Sequence, residues 1–238
     1  MPYRLLLADA DGTLFNFREG ERNAIANTFE RFGVPVTDEY TAVYHRINAM
    51  HWARLERGET TQAALRVDRF RDFLRETGLP GDSQRMCDVF VEQLGKQRIV
   101  LPGAKALCEC VSARMPIILV TNGIAKVQRS RFADCELSPY LSGIVISEEV
   151  GHAKPHPAMV EEALRMAGLD NRREAVLLGD SVTADIAAAN NAGVDSILFT
   201  DGAEPPRGNG ATFTARTLED ARRIICGLSP ALPARHTL

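Results

Sequence analysis

Apolar positions recur along this chain with two different periods, and the change of period divides it. Near the N-terminus, Tyr3-Arg4-Leu5-Leu6-Leu7-Ala8 is a short apolar run that breaks at Asp9, the pattern of a buried strand. From about 17 to about 100 the spacing is helical. Ala24, Ile25, Phe29 and Phe32 mark one helix, stopped near Gly33 and Pro35. Tyr40, Val43, Tyr44, Ile47, Met50, His51 and Leu55 mark a second, with Gly58 near its end. Leu65, Phe70, Phe73 and Leu74 mark a third before Gly78-Leu79-Pro80, and Met86, Val89, Phe90 and Leu94 a fourth. Four amphipathic helices without an intervening strand predict a separate helical module that buries its apolar stripes internally.

From Pro102 onward helix and strand alternate. The pattern predicts helices over about 103–113, 124–134, 157–167, 184–191 and 217–227. Between them fall strands over Pro116–Val120, Gly143–Ser147, Ala175–Leu178 and Ser196–Thr200. Apolar, β-branched strands alternating with helices argue for a parallel sheet covered on both faces. The first strand belongs in that sheet, so the helical module is an insertion after it. The expected organisation is an α/β core of residues 1–16 and 101–238, with a helical domain of residues 17–100 inserted. Pro230 to Leu238 reads as a loose tail.

Composition narrows the function without naming it. The 238 residues are 45% hydrophobic and 25% charged, an ordinary globular balance. A formal net charge of -3 gives no electrostatic case for a nucleic-acid polymer or an anionic membrane. No apolar stretch reaches the ~20 residues of a membrane helix, and no signal segment opens the chain, so a cytoplasmic location is expected. The five cysteines, Cys87, Cys108, Cys110, Cys135 and Cys226, lack paired C-x-x-C spacing, which argues against a disulfide framework or a zinc site. They are expected to be inert, partly buried thiols.

The chemistry concentrates at predicted strand ends. Asp9-Ala10-Asp11-Gly12-Thr13-Leu14 follows the first strand, at the edge where open α/β sheets form ligand crevices. Two acids side by side need a shared proton or cation; alone, the segment could equally be a solvated Asp-Gly turn. Thr121-Asn122-Gly123 follows Ile117–Val120 and offers a hydroxyl, an amide and close backbone approach to a phosphate oxygen. Lys154-Pro155 opens the next predicted helix and supplies a point charge. Gly179-Asp180-Ser181 ends the strand Ala175–Leu178, with Asp185 five residues beyond Asp180. Acids at both strand ends can cage a magnesium ion, which prefers oxygen ligands.

In this combination and order the four segments resemble the motifs of the haloacid dehalogenase superfamily, over essentially the whole chain. The resemblance implies a Rossmann-like core with a helical cap inserted after the first motif. It also implies Asp9 as a nucleophile forming an aspartyl-phosphate, and Asp11 as general acid and base. Magnesium would be held by Asp9, the Asp11 backbone carbonyl and Asp180, with Asp185 ligating directly or through water, and phosphate by Thr121, the Asn122 backbone and Lys154. A second Asp at position 11 points to phosphatases or phosphomutases of the superfamily and away from its dehalogenases. Asp9–Phe15, Trp52–Thr61, Leu101–Ala104, Val145–Gly151 and Asn191–Gly193 are similar to the bacterial pyrimidine 5′-nucleotidases, with Gly12 and His152 as departures. The implied substrate is a small phosphomonoester, foremost a pyrimidine nucleoside 5′-monophosphate, on a monomer or homodimer. A phosphatase or mutase for phosphoglycolate or a sugar phosphate is the alternative, and a silent binding module a third. Trp52, the one tryptophan, could stack on a base or belong to the cap core. His51 and His156 are weaker candidates, since the motifs already fill the ligand and acid roles.

Overall fold

A computed structural model describes residues 3–227; the predicted tail from Pro230 lies outside the described residues. The chain divides into two compact units, residues 3–15, 100–122 and 136–227 in one and residues 16–99 and 123–135 in the other.

The first unit is built on β1 (Leu5–Ala8), β2 (Ile117–Thr121), β3 (Gly143–Ile146), β4 (Ala175–Gly179), β5 (Asp195–Phe199) and β6 (Phe213–Ala215). All pair in parallel, in the order β3-β2-β1-β4-β5-β6. This is the α/β architecture expected. The four inner strands carry almost no polar side chain because helices cover both faces. Leu5, Leu7, Ile118, Val120, Val145 and Leu177 pack against Met159, Val160 and Ala163, and against Ala188 and Ala189. Side chains alternate along a strand, so Leu6, Ala8 and Leu119 face the other way.

Among the described residues the helices are α1 (Phe17–Arg31), α2 (Asp38–Glu56), α3 (Gln62–Thr77), α4 (Ser83–Gly95), α5 (Ala104–Ser112), α6 (Ala125–Ala133), α7 (Ser147–Val150), α8 (Ala158–Ala167), α9 (Ala187–Ala192) and α10 (Leu218–Cys226). None is long and apolar enough to cross a membrane. The starts of α2, α3, α4 and α10 are capped by Thr37, Thr61, Asp82 and Thr217, whose side chains accept otherwise unpaired backbone N–H groups.

Four departures from the sequence pattern have physical reasons. Strand β6 was not expected: it is three residues long, half exposed, and sits at the sheet edge behind a Gly- and Pro-rich stretch. The strand expected to end at Ser147 ends at Ile146, and Ser147 begins the short α7. Lys154-Pro155 does not open a helix; α8 begins at Ala158. Pro155 and Pro157 each disfavour helical backbone in the residue before them, which delays the start. Finally, the helix expected over 184–191 begins as a π-turn, Val182–Ile186, continued by α9.

The second unit holds α1 to α4 together with α6. Ile124 and Val127 join the buried cluster of Phe29, Tyr44, Phe70, Phe73, Met86 and Phe90, so 123–135 groups with the helices although its sequence position suggested the sheet unit. Phe29 stacks on Phe73 with ring centroids 4.9 Å apart. A buried polar chain crosses this unit: Arg69 donates to Asn48 and Asn48 donates to Glu21, each at 2.9 Å. The Arg69 guanidinium lies 4.5 Å from the Phe90 ring centroid, so an aromatic face offsets part of its lost hydration. Phe73→Ala should remove the stacked ring from a fully buried position and cost about 3–5 kcal/mol. A lowered urea midpoint for the helical unit checks this; an unchanged midpoint would remove Phe73 from the core.

Candidate active site

β1 lies between β2 and β4, so the residues that follow these three strands leave the same edge together. Asp9 comes first after β1, and its N–H donates to the Leu178 carbonyl at 2.8 Å, extending the pairing with β4 by one residue. The chain then turns back: Leu14 and Phe15 N–H both donate to the Ala10 carbonyl, and Gly12 N–H to the Phe15 carbonyl. Asp11 is half-buried within that turn. Gly12 has φ +89, and a Cβ there would lie 2.5 Å from an Asp180 carboxylate oxygen. The departure at position 12 thus has a local cause: this turn admits Asp180 only over a glycine. Gly179 plays the same part on β4, where a Cβ would lie 2.3 Å from the Asp185 carboxyl carbon.

Lys154 binds the segments together. It is buried, and its Nζ donates to Asp9 Oδ1 at 2.5 Å, Asp185 Oδ1 at 2.6 Å and the Val120 carbonyl at 2.7 Å. Three acceptors match the three protons of an ammonium. The Lys154 backbone is held as firmly, by both ends of one amide. Asn122 Nδ2 donates to the Lys154 carbonyl at 2.9 Å, and Lys154 N–H donates to Asn122 Oδ1 at 2.7 Å. The sequence pointed to the Asn122 backbone; its side chain has this second, positioning role. Thr121 is buried at the end of β2.

The π-turn brings Asp185 inward. Its Oδ2 accepts from Ser181 N–H at 3.0 Å while Oδ1 accepts from Lys154, so both oxygens are engaged. Thr13, buried within the first motif, donates to Asp180 Oδ1 at 3.4 Å. Thr13 and Ser181 belong to the motifs without an assigned role; each meets a neighbouring carboxylate, Thr13 through its hydroxyl and Ser181 through its backbone N–H, a contact that residue type alone does not announce.

Asp9, Asp180 and Asp185 each offer a carboxylate oxygen within 4.8 Å of the others. Three acids therefore face one ammonium. Burial pushes the Asp9 carboxyl up; Lys154 opposes this, and Asp185 and Asp180 add to it. Burial works against the Lys154 charge, but Asp185 and Asp9 outweigh it and hold the ammonium protonated. Asp180 is pushed up to about 6, by desolvation first and the Asp185 charge second. The residue is exposed as a whole, yet its carboxyl is crowded by its neighbours. An all-oxygen donor set with excess negative charge fits a hard divalent cation such as magnesium and offers none of the thiol or imidazole ligands of zinc.

Other sequence candidates fall elsewhere. Trp52 is half-buried on α2, in the helical unit. His51 is buried there, its Nε2 2.9 Å from Asp72 Oδ2, which reads as a structural pair. His156 is exposed and stacks on His152 with centroids 3.9 Å apart.

Known proteins resemble this chain over most of its length. A model of the haloacid dehalogenase-like hydrolases matches residues 3–193. The pyrimidine 5′-nucleotidase YjjG of Escherichia coli (strain K12) is 29% identical over 228 residues, 95% of this chain and 99% of its own. The pyrimidine 5′-nucleotidase PynA of Streptococcus pneumoniae is 30% identical over 200 residues, 84% of each chain. A crystal structure of Bacillus subtilis YfnB bound to magnesium has a TM-score of 0.87 at 28% identity, covering 94% of this chain and 99% of that one.

The crowding of Asp180 has a consequence for stability in metal-free protein. Its value rises from 3.8 to about 6 on folding, so its protonated form is favoured in the folded state. The associated stability is fully present below 3.8 and is lost as the pH rises through about 6. Asp180→Asn, measured with chelator present, should flatten that part of the stability-versus-pH curve. An unaltered slope would mean that Asp180 is not the group crowded by Asp185.

Proposed function

The chain belongs to the haloacid dehalogenase-like hydrolases, and on that premise we propose that it is a magnesium-dependent phosphatase of pyrimidine nucleoside 5′-monophosphates. The observation that carries phosphate chemistry is the single site formed by Asp9, Asp180, Asp185 and Lys154, with Asp11 two residues from Asp9. The nucleotide assignment is supported by near full-length similarity to proteins named pyrimidine 5′-nucleotidases.

In this reading an Asp9 carboxylate oxygen attacks phosphorus, and the bond from phosphorus to the ester oxygen breaks, leaving an aspartyl-phosphate. Asp11 gives its proton to the departing alkoxide, which is otherwise a poor leaving group. It then removes a proton from the water that opens the acyl-phosphate. Thr121 Oγ1 and the Asn122 N–H donate to phosphoryl oxygens, and Lys154 balances their charge. The Asn122 side chain keeps Lys154 in register. Held by Asp9, Asp180, Asp185 and the Asp11 carbonyl, magnesium would supply further charge neutralisation.

Asp9→Asn should abolish turnover with the fold retained, since an amide cannot form the acyl-phosphate; substantial activity in the purified variant would remove Asp9 as nucleophile. Asp11→Asn should slow alkyl phosphates by about 10²–10⁴-fold and aryl phosphates less, because a better leaving group needs less protonation. Equal losses on both would count against Asp11 as the acid.

Activity should vanish with excess chelator and return with magnesium. Asp180→Ala should raise the magnesium concentration giving half the maximal rate. Full turnover in chelator would refute the metal assignment.

The substrate assignment is tested by kcat/KM for UMP, dUMP and dTMP against AMP, GMP, phosphoglycolate and a hexose phosphate. Pyrimidine nucleotides should lead purine nucleotides by about 10–200-fold, the range that a pocket selecting on size provides. Preference for phosphoglycolate or the sugar phosphate would overturn the nucleotide reading and leave the phosphatase reading standing.

A further inference from the structure

Two cysteines far apart in sequence meet at the edge of the sheet opposite the proposed site. Cys110 lies in the last turn of α5, shortly before β2 begins, and Cys226 is the last residue of α10. Their sulfur atoms are 3.5 Å apart, and each residue is half-buried. Two arginines hold the pair. Arg222 donates to Cys110 Sγ at 3.7 Å, and Arg114 donates to the Cys226 carbonyl at 3.1 Å. Arg222 is itself fixed by Glu219, with contacts of 2.7 and 2.8 Å.

The two thiols are not equivalent. Burial raises Cys110, but hydrogen bonds from Cys226 and Arg222 and the charges of Arg222 and Arg114 outweigh it, so its thiolate is favoured. Burial and the neighbouring Cys110 push Cys226 up, so it keeps its proton. A thiol lowered by an arginine beside it, 3.5 Å from a second thiol, is the arrangement in which one sulfur attacks and the other resolves. A disulfide needs the sulfurs at about 2.05 Å. Both residues lie in the last turn of their helices, and α10 stops at Gly227, where the chain turns into the left-handed region. By contrast, Cys87 and Cys108 are fully covered.

We propose that Cys110 and Cys226 form a hydroperoxide-reactive dithiol that closes into an intrachain disulfide joining α5 to α10. The Cys110 thiolate attacks the terminal oxygen of a hydroperoxide. The O–O bond breaks, and the alkoxide or hydroxide leaves and takes up a proton, giving a Cys110 sulfenic acid. The Cys226 sulfur then attacks the Cys110 sulfur, the S–O bond breaks, and the departing hydroxide combines with the Cys226 proton as water. Two thiols and one hydroperoxide thus give one disulfide, one alcohol or water, and one water.

The test treats reduced full-length protein with one equivalent of hydrogen peroxide, blocks remaining thiols, and maps peptides without reduction. The expected result is a chain lighter by about 2 Da before the blocking step, with the peptides of Cys110 and Cys226 linked in the map and dithiothreitol separating them. In Cys226→Ser the reaction should stop at a sulfenic acid on Cys110, trapped by dimedone at that residue. Iodoacetamide near neutral pH should label Cys110 about tenfold faster than Cys135. A link between any other pair, a disulfide between two chains through Cys110, or labelling of Cys110 no faster than Cys135 would overturn the proposal. The wild-type peptide map decides the matter even where the serine variant fails to fold.

Discussion

One ammonium facing three carboxylates is the constraint on which the sheet unit is organised. Lys154 has to reach Asp9, Asp185 and the Val120 carbonyl with a single Nζ, and all three contacts fall between 2.5 and 2.7 Å. Such a contact set can form only where the ends of β1, β2 and β4 converge, which places β1 in the middle of the sheet. It also requires the Lys154 backbone to be fixed before the side chain is extended. The two hydrogen bonds from Asn122 do this from the end of β2. The glycines at 12 and 179 follow from the same crowding, since a Cβ at either would meet a carboxylate. The site is therefore not an addition to a finished fold; its charges dictate which positions next to them can carry side chains.

What was legible in the sequence is what depends on periodicity and on local spacing. The strands β1 to β5 are continuous apolar runs, and the four helices before Pro102 bear clear stripes, so their existence and order could be read directly. Three of the four motifs were legible for a similar reason, since they lie at the ends of the apolar runs of β1, β2 and β4; Lys154 lies beyond α7 and reaches the same edge through its contacts with Asp9, Asp185 and Asn122. Strand β6 escaped because Phe213 and Thr214 are exposed and three residues carry no period. The placement of 123–135 with the helical unit escaped because α6 carries no clear apolar stripe: its buried residues are Val127, Gln128 and Arg131, two of them polar. The π-turn at Val182–Ile186 escaped because it carries no period of its own; within it Asp185 meets Lys154, 31 residues away in sequence, as well as the neighbouring Ser181 N–H. The pairing of Cys110 with Cys226 spans 116 positions and had no signature at all.

The helical unit solves a different problem. It buries Arg69 and Glu21 with Asn48 between them, inside a cluster of aromatic rings. A buried charge pair of this kind is seldom a strong source of stability, because desolvation consumes much of the attraction. Its effect is to fix register: Asn48 on α2 can satisfy Glu21 on α1 and Arg69 on α3 only when the three helices hold one alignment. The groups proposed to handle phosphate lie on the sheet unit, and under that proposal any phosphomonoester would meet their requirements equally. The four motifs therefore bear on the phosphoryl group and not on the group that leaves it.

The charge count also orders events under the proposed chemistry. With all groups ionised, the cluster carries three carboxylates against one ammonium before any substrate arrives. A phosphomonoester dianion brought to the same place would meet like charge at close range, and in a partly desolvated site that repulsion is far larger than in water. The raised Asp9 and Asp180 carboxyls are the protein's own answer in the absence of a cation: protons reduce the excess. That answer is incompatible with nucleophilic attack, because a protonated Asp9 does not attack phosphorus. A hard divalent cation resolves both difficulties at once, since it favours the ionised carboxylates and lowers the repulsion toward phosphate. Under the proposed chemistry, loading of the carboxylate cluster would therefore precede or accompany phosphate binding, because the proton that relieves the metal-free cluster would also quench the proposed nucleophile.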